Sequence, residues 1–538
     1  MTDTDAVQQQ ARAWLADDPD PETRAELAEV LAGLPATADD LADRFAGRLE
    51  FGTAGLRGEV RAGPNGMNRA VVRAAAAGLV AYLDAERADG PVVIGYDARR
   101  GSTAFAEETA RVCTGTGRTA LLLPRILPTP VLAYAVRALG AAAGVMVTAS
   151  HNPPADNGYK VYLGDGAQIV PPADRSIEAA IQQVGPLTNV PLGGPGEVLD
   201  EKLVEAYLDA MAARVDAASP RTLTVAYTPM HGVGGETMVN AFLRAGFAAP
   251  HVVDEQFAPD PNFPTVSFPN PEEPGAVDLL VALAERVDAD IAIANDPDAD
   301  RCAVAVPTDA GWRMLRGDEV GALLADHLQR RGQAGTYATT IVSSALLGAM
   351  CAARGVPYAE TLTGFKWIMR AADDLAYGYE EALGYSVAPE LVRDKDGISA
   401  ALLVAELAAQ LKAAGRTLTD RLDDLAREFG VHATDQYAVR VDDLAIIADA
   451  MAGLRAALPQ QLLGRPVETA EDLLPDADVV ILRGPGLRVV VRPSGTEPKL
   501  KAYLEVVVPV AGTVAEARAE AAEQLAALRA EVATGLGL

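Results

Sequence analysis

Residues Asp290-Ile291-Ala292-Ile293-Ala294 run directly into Asn295-Asp296-Pro297-Asp298-Ala299-Asp300-Arg301. A short apolar run stopped by a polar, proline-containing turn reads as a buried strand and the loop beyond its carboxyl end. The pattern recurs along the chain. Pro91–Gly95, Thr119–Leu123, Gly144–Thr148, Leu223–Tyr227 and Ala338–Ser343 are short β-branched or apolar runs, each near a longer alanine- and leucine-rich segment with helical spacing. That alternation is the signature of βαβ units and of a sheet covered on both faces. Ligands of open α/β sheets bind beyond the carboxyl ends of strands, so the loops after these runs are where chemistry is expected.

Working outward, three such blocks follow one another, roughly 45–185, 190–315 and 316–428. The last hundred residues differ. Gln436–Val441, Val479–Arg483, Val489–Arg492 and Lys501–Val508 read as strands with helices at 443–456 and 513–531, a smaller α+β domain. The Gly/Pro-rich stretch Gly185–Gly196 and the turn around Phe429–His432 mark boundaries. The expected domains are therefore 1–188, 189–315, 316–428 and 429–538, with residues 1–45 a polar, alanine-rich helix packed outside the first. A chain of 538 residues, 49% hydrophobic and 22% charged, has full-sized cores and is not dominated by disorder.

A formal charge of −28 argues against nucleic acid or an anionic membrane face as the main partner. An anionic ligand would need a local cluster of bases working against that field. Cys113, Cys302 and Cys351 are odd in number and far apart, giving neither a disulfide framework nor a zinc motif. The acidic start carries no visible secretory signal, and the most apolar stretch, 120–136, is broken by Arg125 and by prolines 124, 128 and 130. A cytoplasmic protein is expected.

Four peptides stand out. Asp296, Asp298 and Asp300 on a proline-stiffened turn can converge on one hard divalent cation, with a position left for a phosphate oxygen, which suits Mg²⁺. An EF-hand is excluded, because its glycine and glutamate positions are Arg301 and Pro307. Taken alone, the triplet reads equally well as an acidic turn capping a helix. After Gly144–Thr148 comes Ala149-Ser150-His151-Asn152-Pro153-Pro154, in which Ser150 is either a nucleophile or a turn residue. No Gly-x-Ser-x-Gly elbow surrounds it, so acyl transfer is unsupported. Asn157-Gly158-Tyr159-Lys160 returns a base toward it. Gly378-Tyr379-Glu380-Glu381-Ala382-Leu383-Gly384-Tyr385 follows a strand expected near Ala376. Arg492-Pro493-Ser494-Gly495-Thr496-Glu497-Pro498-Lys499 has the composition of a phosphate cradle, or else of a tight hairpin with incidental charge. Only seven of the 46 basic residues are lysines, and five of those (Lys160, Lys366, Lys395, Lys499, Lys501) lie in or beside unusual segments. A lysine kept where arginine is the habit points to a site needing a compact charge.

Together, from Phe51 to about Tyr503 and in this order, these peptides resemble the α-D-phosphohexomutases, the phosphoglucomutase/phosphomannomutase superfamily. The resemblance implies an α/β fold of four domains around a central cleft, three related αβα domains with mixed sheets followed by an α+β domain. It implies a phosphosugar mutase, an intramolecular phosphotransferase that interconverts glucose 1-phosphate and glucose 6-phosphate through a phosphoserine and a 1,6-bisphosphate. Phosphomannomutase and phosphopentomutase activities are the near alternatives; a metal-dependent phosphatase and a catalytically silent sugar-phosphate sensor are the distant ones. By the same resemblance Ser150 carries the phosphoryl group, and Asp296, Asp298 and Asp300 hold Mg²⁺ with a serine-phosphate oxygen. Lys160 and His151 match proton-transfer and active-site charge positions; Arg57 and Arg301 match active-site arginines. Glu380 and Glu381, with Gly364 and Lys366 upstream, match the sugar-recognition positions. Arg492, Ser494, Gly495, Thr496 and Lys499 match the grip on the phosphate that is not transferred. One departure is Ala382, where many members carry serine; this form of the loop resembles the branch of glucose-1,6-bisphosphate-dependent phosphoglucomutases and phosphopentomutases. The implied partner is a small phosphosugar, with glucose 1,6-bisphosphate as activator, and the protein is expected as a monomer or homodimer.

Overall fold

The computed structural model describes residues 3–49, 55–441, 443–494 and 499–537. They form two compact units, Met1–Leu315 with Ala382–Ala413 and Arg316–Glu381 with Ala414–Leu538.

Two mixed sheets organise the first unit. One has six strands in the order Leu56–Glu59, Asp156–Leu163, Ala143–Val147, Val92–Tyr96, Ala120–Leu122 and Glu197–Val198. Its first two junctions are antiparallel and the rest parallel. The other has five, Gly311–Met314, Ala303–Thr308, Ile291–Ala294, Val225–Thr228 and His251–Val252, again antiparallel at the first two junctions and parallel beyond. The two sheets share one design. A fully buried parallel strand (Ala143–Val147 or Ile291–Ala294) ends in a loop, and the chain returns antiparallel beside it (Asp156–Leu163 or Ala303–Thr308). Both loops are the peculiar peptides of the sequence.

Helices cover the sheets because their apolar positions line one side and their ends are satisfied. Asn68 caps Arg69–Ala85 by accepting the Val71 amide at 3.0 Å. The amino-terminal segment is three helices rather than one, Asp3–Asp17, Pro21–Ala32 and Ala38–Arg44, around a small core of Ala11, Leu27, Val30, Leu41 and Ala62. Asp17 ties it to the rest of the unit by accepting the Leu187 amide at 2.9 Å.

Ala382–Ala413 lies inside the stretch expected as a third domain, yet it belongs to the first unit. Its helix, Gly397–Ala413, is buried along almost its whole length and packs on Lys202–Ala212 and Gly234–Arg244. Among the described residues no single helix is long and apolar enough to cross a membrane.

The second unit has parallel strands Tyr358–Thr361, Thr336–Thr340 and Leu375–Glu380. It also has an antiparallel five-stranded sheet ordered Val431–Arg440, Lys499–Val508, Leu487–Pro493, Val480–Gly484 and Thr469–Asp472. Helices Leu444–Ala456 and Val514–Leu536 pack against that sheet to complete its core. Strand Leu375–Glu380 runs through Gly378 and Glu380, so the loop expected to begin at Gly378 begins instead at Glu381.

Candidate active site

Strand Ala143–Val147 delivers the chain into a tight turn. Thr148 Oγ1 accepts the Ser150 amide at 2.9 Å, and Ser150 is held at φ +52°, a left-handed backbone that non-glycine residues adopt only under constraint. Ser150 is 2% exposed. Its hydroxyl donates to Asp296 Oδ2 at 2.8 Å and lies 3.2 Å from His151 Nδ1. The returning strand passes so close that a Cβ on Gly158 would stand 2.5 Å from the Thr148 carbonyl oxygen, so only glycine fits there. That strand sets Lys160 opposite Met146, and the edge strand beyond sets Arg57 opposite Gly158, from where Arg57 Nη1 donates to Asn152 Oδ1 at 3.3 Å.

The second loop presents Asp296, Asp298 and Asp300, all buried, with carboxylate oxygens within 4.8 Å of one another. Ala299 turns the chain at φ +54° between the last two. The loop rests on residues 232 and 233: the Val233 amide donates to the Pro297 carbonyl at 2.8 Å, and a Cβ on Gly232 would meet the Pro297 backbone at 2.4 Å. Lys160 Nζ reaches Asp298 Oδ2 at 2.7 Å and Asp300 Oδ2 at 2.9 Å. Lys395 joins Asp300 at 2.9 Å, and Thr129 Oγ1 donates to Asp298 Oδ2 at 2.6 Å. The Arg301 amide donates to Asp296 Oδ1 at 3.1 Å. Among the described residues, Asp298 Oδ1 and Asp300 Oδ1 are buried acceptors with no hydrogen-bond donor. Two orphaned carboxylate oxygens beside a third acid form an oxygen donor set of the kind a hard divalent cation takes.

The charges are strongly perturbed. Burial, then repulsion from Asp298 and Asp300, pushes the Asp296 carboxyl well above its ordinary range. Burial and Asp300 also oppose ionisation of Asp298, but the ammonium of Lys160 outweighs them and holds it below. Burial resists ionisation of Asp300 too, and is overcome by Lys160, Lys395 and Arg301. Burial would depress Lys160, yet the two aspartates raise it, so this lysine is a firm cation. His151 is driven well below its usual value by burial and then by Arg301 and Arg57, which favours the neutral ring.

Ser150, His151, Lys160, Arg57, Asp296, Asp298, Asp300 and Arg301 thus come together in the first unit. In the second, Gly364 has φ +109° and Lys366 is buried on the short helix Phe365–Ile368. Glu380 ends its strand. Glu381 Oε2 accepts the hydroxyls of Ser343 at 2.9 Å and Thr340 at 3.1 Å. Arg492 hydrogen-bonds Tyr503, whose phenol is raised by burial and then by the charges of Glu381 and Glu380, against the opposing effect of Arg492. The Ser494 amide donates to the Lys499 carbonyl at 2.8 Å, closing a hairpin whose tip, with Gly495 and Thr496, lies outside the described residues.

Sequence reading did not find Thr129 or Ser343, which no motif marks. Lys395 carried one signal, its place among the few retained lysines.

Models of the phosphoglucomutase/phosphomannomutase family match this chain four times in order: alpha/beta/alpha domain I over residues 48–186, domain II over 205–311, domain III over 316–429 and the C-terminal domain over 437–534. A probable phosphomannomutase of Haemophilus influenzae is 46% identical over 82% of this chain and 93% of its own. A phosphopentomutase of Mus musculus is 34% identical, covering 94% and 90%, and a phosphoglucomutase of Staphylococcus aureus is 33% identical, covering 88% and 92%. With four matching domains and relatives of this similarity over most of its length, the chain belongs to the phosphoglucomutase/phosphomannomutase family and is a phosphosugar mutase, an isomerase that works by intramolecular phosphoryl transfer.

Proposed function

We propose that this mutase interconverts the 1- and 6-phosphates of a hexose, glucose foremost, with Ser150 as the phosphoryl carrier. The carrying observation is the Ser150 hydroxyl at 2.8 Å from Asp296 inside a buried three-carboxylate cluster. Asp296, Asp298 and Asp300, with an oxygen of the Ser150 phosphate, would hold Mg²⁺, which when bound supplies positive charge against the phosphoryl oxygens. The donor set fits, since two of its carboxylate oxygens have no hydrogen-bond donor among the described residues.

Transfer breaks the P–O bond to Ser150 and forms one to the free hydroxyl of a hexose monophosphate. The hydroxyl proton is relayed through His151, whose ring nitrogen stands beside Ser150 Oγ, to that oxygen as its bond to phosphorus breaks. Lys160, fixed on Asp298 and Asp300, favours the ionised form of those two carboxylates; Arg57 and Arg301 add cationic charge. The sugar 1,6-bisphosphate then returns its other phosphoryl group to Ser150, with the proton going back to the oxygen left behind. Glu380 and Glu381 grip the sugar hydroxyls, with Glu381 set in place by the Ser343 and Thr340 hydroxyls. Arg492, Ser494, Gly495, Thr496 and Lys499 hold the resting phosphate. A pentose 1-phosphate is the second reading, supported by the similarity to a phosphopentomutase across 94% of the chain.

The test is a coupled assay of the 1-phosphates of glucose, mannose, ribose and deoxyribose, with and without glucose 1,6-bisphosphate, on wild type and Ser150→Ala. Expected are fastest turnover of glucose 1-phosphate, stimulation by the bisphosphate, and no turnover by the variant. A ribose preference would move the substrate to the second reading. Undiminished turnover by Ser150→Ala would remove the serine as carrier.

A further inference from the structure

One buried arginine outside the peptides singled out in the sequence grips the loop that carries Ser150. Strand Val92–Tyr96 lies parallel to Ala143–Val147, with Tyr96 opposite Val147, so the loops after the two strands leave the same end of the sheet. On the first of these loops stands Arg99, 4% exposed. Its Nη2 donates to the carbonyls of Ser150 and Asn152, both at 2.6 Å. Its Nη1 donates to those of Pro153 at 2.8 Å and Asp156 at 3.0 Å. The guanidinium also lies 5.0 Å from the ring centroid of Phe263, and its Nε is 3.5 Å from Asp97 Oδ2. Asp97 is itself fixed, accepting the Arg99 amide at 2.9 Å and the Ser102 hydroxyl at 2.7 Å.

Four carbonyls from a seven-residue turn repel one another when their oxygens converge, and a backbone with Ser150 at φ +52° does not hold itself. A planar guanidinium is the one side chain with enough fixed donors to bind all four at once. An ammonium carries the charge but has three donors and no fork. We propose that Arg99 is a positioning residue for phosphoryl transfer: by binding the carbonyls of Ser150, Asn152, Pro153 and Asp156 it fixes where the Ser150 oxygen stands relative to Asp296. The proposal rests on the reading of Ser150 as phosphoryl carrier. Arg99 touches neither the reacting oxygen nor the triad, and it acts through the loop.

The test is Arg99→Lys, with Arg99→Gln beside it, in the full-length enzyme. The readouts are melting temperature, kcat and KM for glucose 1-phosphate, and single-turnover transfer from the phosphorylated enzyme to glucose 1-phosphate. Displacing reacting atoms by about an ångström costs up to ~100-fold. The lysine variant is therefore expected to fold and to keep KM within about twofold. Its kcat and single-turnover rate should fall about tenfold or more, with the glutamine variant slower still. A lowered melting temperature with transfer rates unchanged would overturn the proposal, as would a loss confined to KM. Failure of both variants to fold would also overturn it, since a structural anchor would then account for the residue. Ser150→Ala runs in parallel. If it still accepts a phosphoryl group, the carrier reading itself has failed; if it does not, a normal rate in Arg99→Lys counts against the positioning role alone.

Discussion

Lys160 shows how much of this site is electrostatic balance at the level of single side chains. Its ammonium is 1% exposed and bridges Asp298 and Asp300 at 2.7 and 2.9 Å. Removing one partner of a buried ion pair leaves uncompensated charge and costs about 3–5 kcal/mol. Lys160→Met is therefore expected to lower the melting temperature sharply. Because the acid cluster then lacks its internal cation, millimolar Mg²⁺ should recover more of that loss than the increment it gives wild type. Thermal melts with and without Mg²⁺ check this, and equal increments in the two proteins would count against a cation site on the triad. The acids, the serine and the lysine were legible in the sequence because each sits in an unusual local peptide. Thr129 was not, although it donates to Asp298 at 2.6 Å, because it is an ordinary helix-start threonine 169 residues away in the chain. Contacts of that kind are made by the fold and leave no local mark.

Among the secondary elements, the strands that end in functional loops were legible and the strands that return from them were not. Ile291–Ala294 and Ala143–Val147 are apolar on both faces, which only burial explains. Asp156–Leu163 mixes Asp, Asn, Gly and Lys with aromatic residues and gives no clean period, because it packs against a polar site. In the second unit, the strand Lys499–Val508 carries Glu505, which accepts the Ala345 amide at 2.9 Å and the Ser344 hydroxyl at 2.7 Å at the start of helix Leu346–Arg354. Burial alone would raise this acid, but Arg488 and His432 outweigh it and hold it down to about 2. Asp318, at the start of helix Gly317–Arg330, goes the other way, raised to about 7 by burial and helped by the nearby charges of Glu381 and Glu505. The two signs oppose each other. Glu505 contributes up to about 3 kcal/mol above pH ~4.5, lost as pH falls toward ~2. Asp318 favours the folded state fully only below about pH 3.8, and that advantage, up to about 4 kcal/mol, is lost as pH rises through ~7. Glu505→Gln should accordingly flatten the acid limb of the stability curve below pH ~4.5. Asp318→Asn should match wild type near pH 4 and exceed it near pH 8. Denaturant titrations across that range decide both, and parallel curves for variant and wild type would refute the assignments.

For the whole molecule, the order of four domains was readable because each carries its own motif, whereas the course of Ala382–Ala413 was not. Its helix is apolar on nearly every side, and a pattern with no polar face cannot say which sheet it will cover. The net charge of −28 is the other property that belongs to the whole chain. A dianionic sugar phosphate approaches against that field, so its affinity must come from local bases, and a mutase must hold the phosphate of its substrate and of its product in turn. Arg492, on strand Leu487–Pro493, flanks the hairpin that closes through Ser494 and Lys499, and it pairs in register with Lys501. A charge-assisted hydrogen bond to phosphate contributes about 1.5–3 kcal/mol, roughly tenfold or more in affinity. If one cradle serves both orientations, Arg492→Ala should raise KM for glucose 1-phosphate and for glucose 6-phosphate by similar factors of about ten, with little change in melting temperature because the side chain is not part of the core. Initial rates measured in both directions settle the matter: an effect on one phosphosugar alone would mean that the two ends of the sugar are held by different bases, and the single-cradle scheme would have to be abandoned.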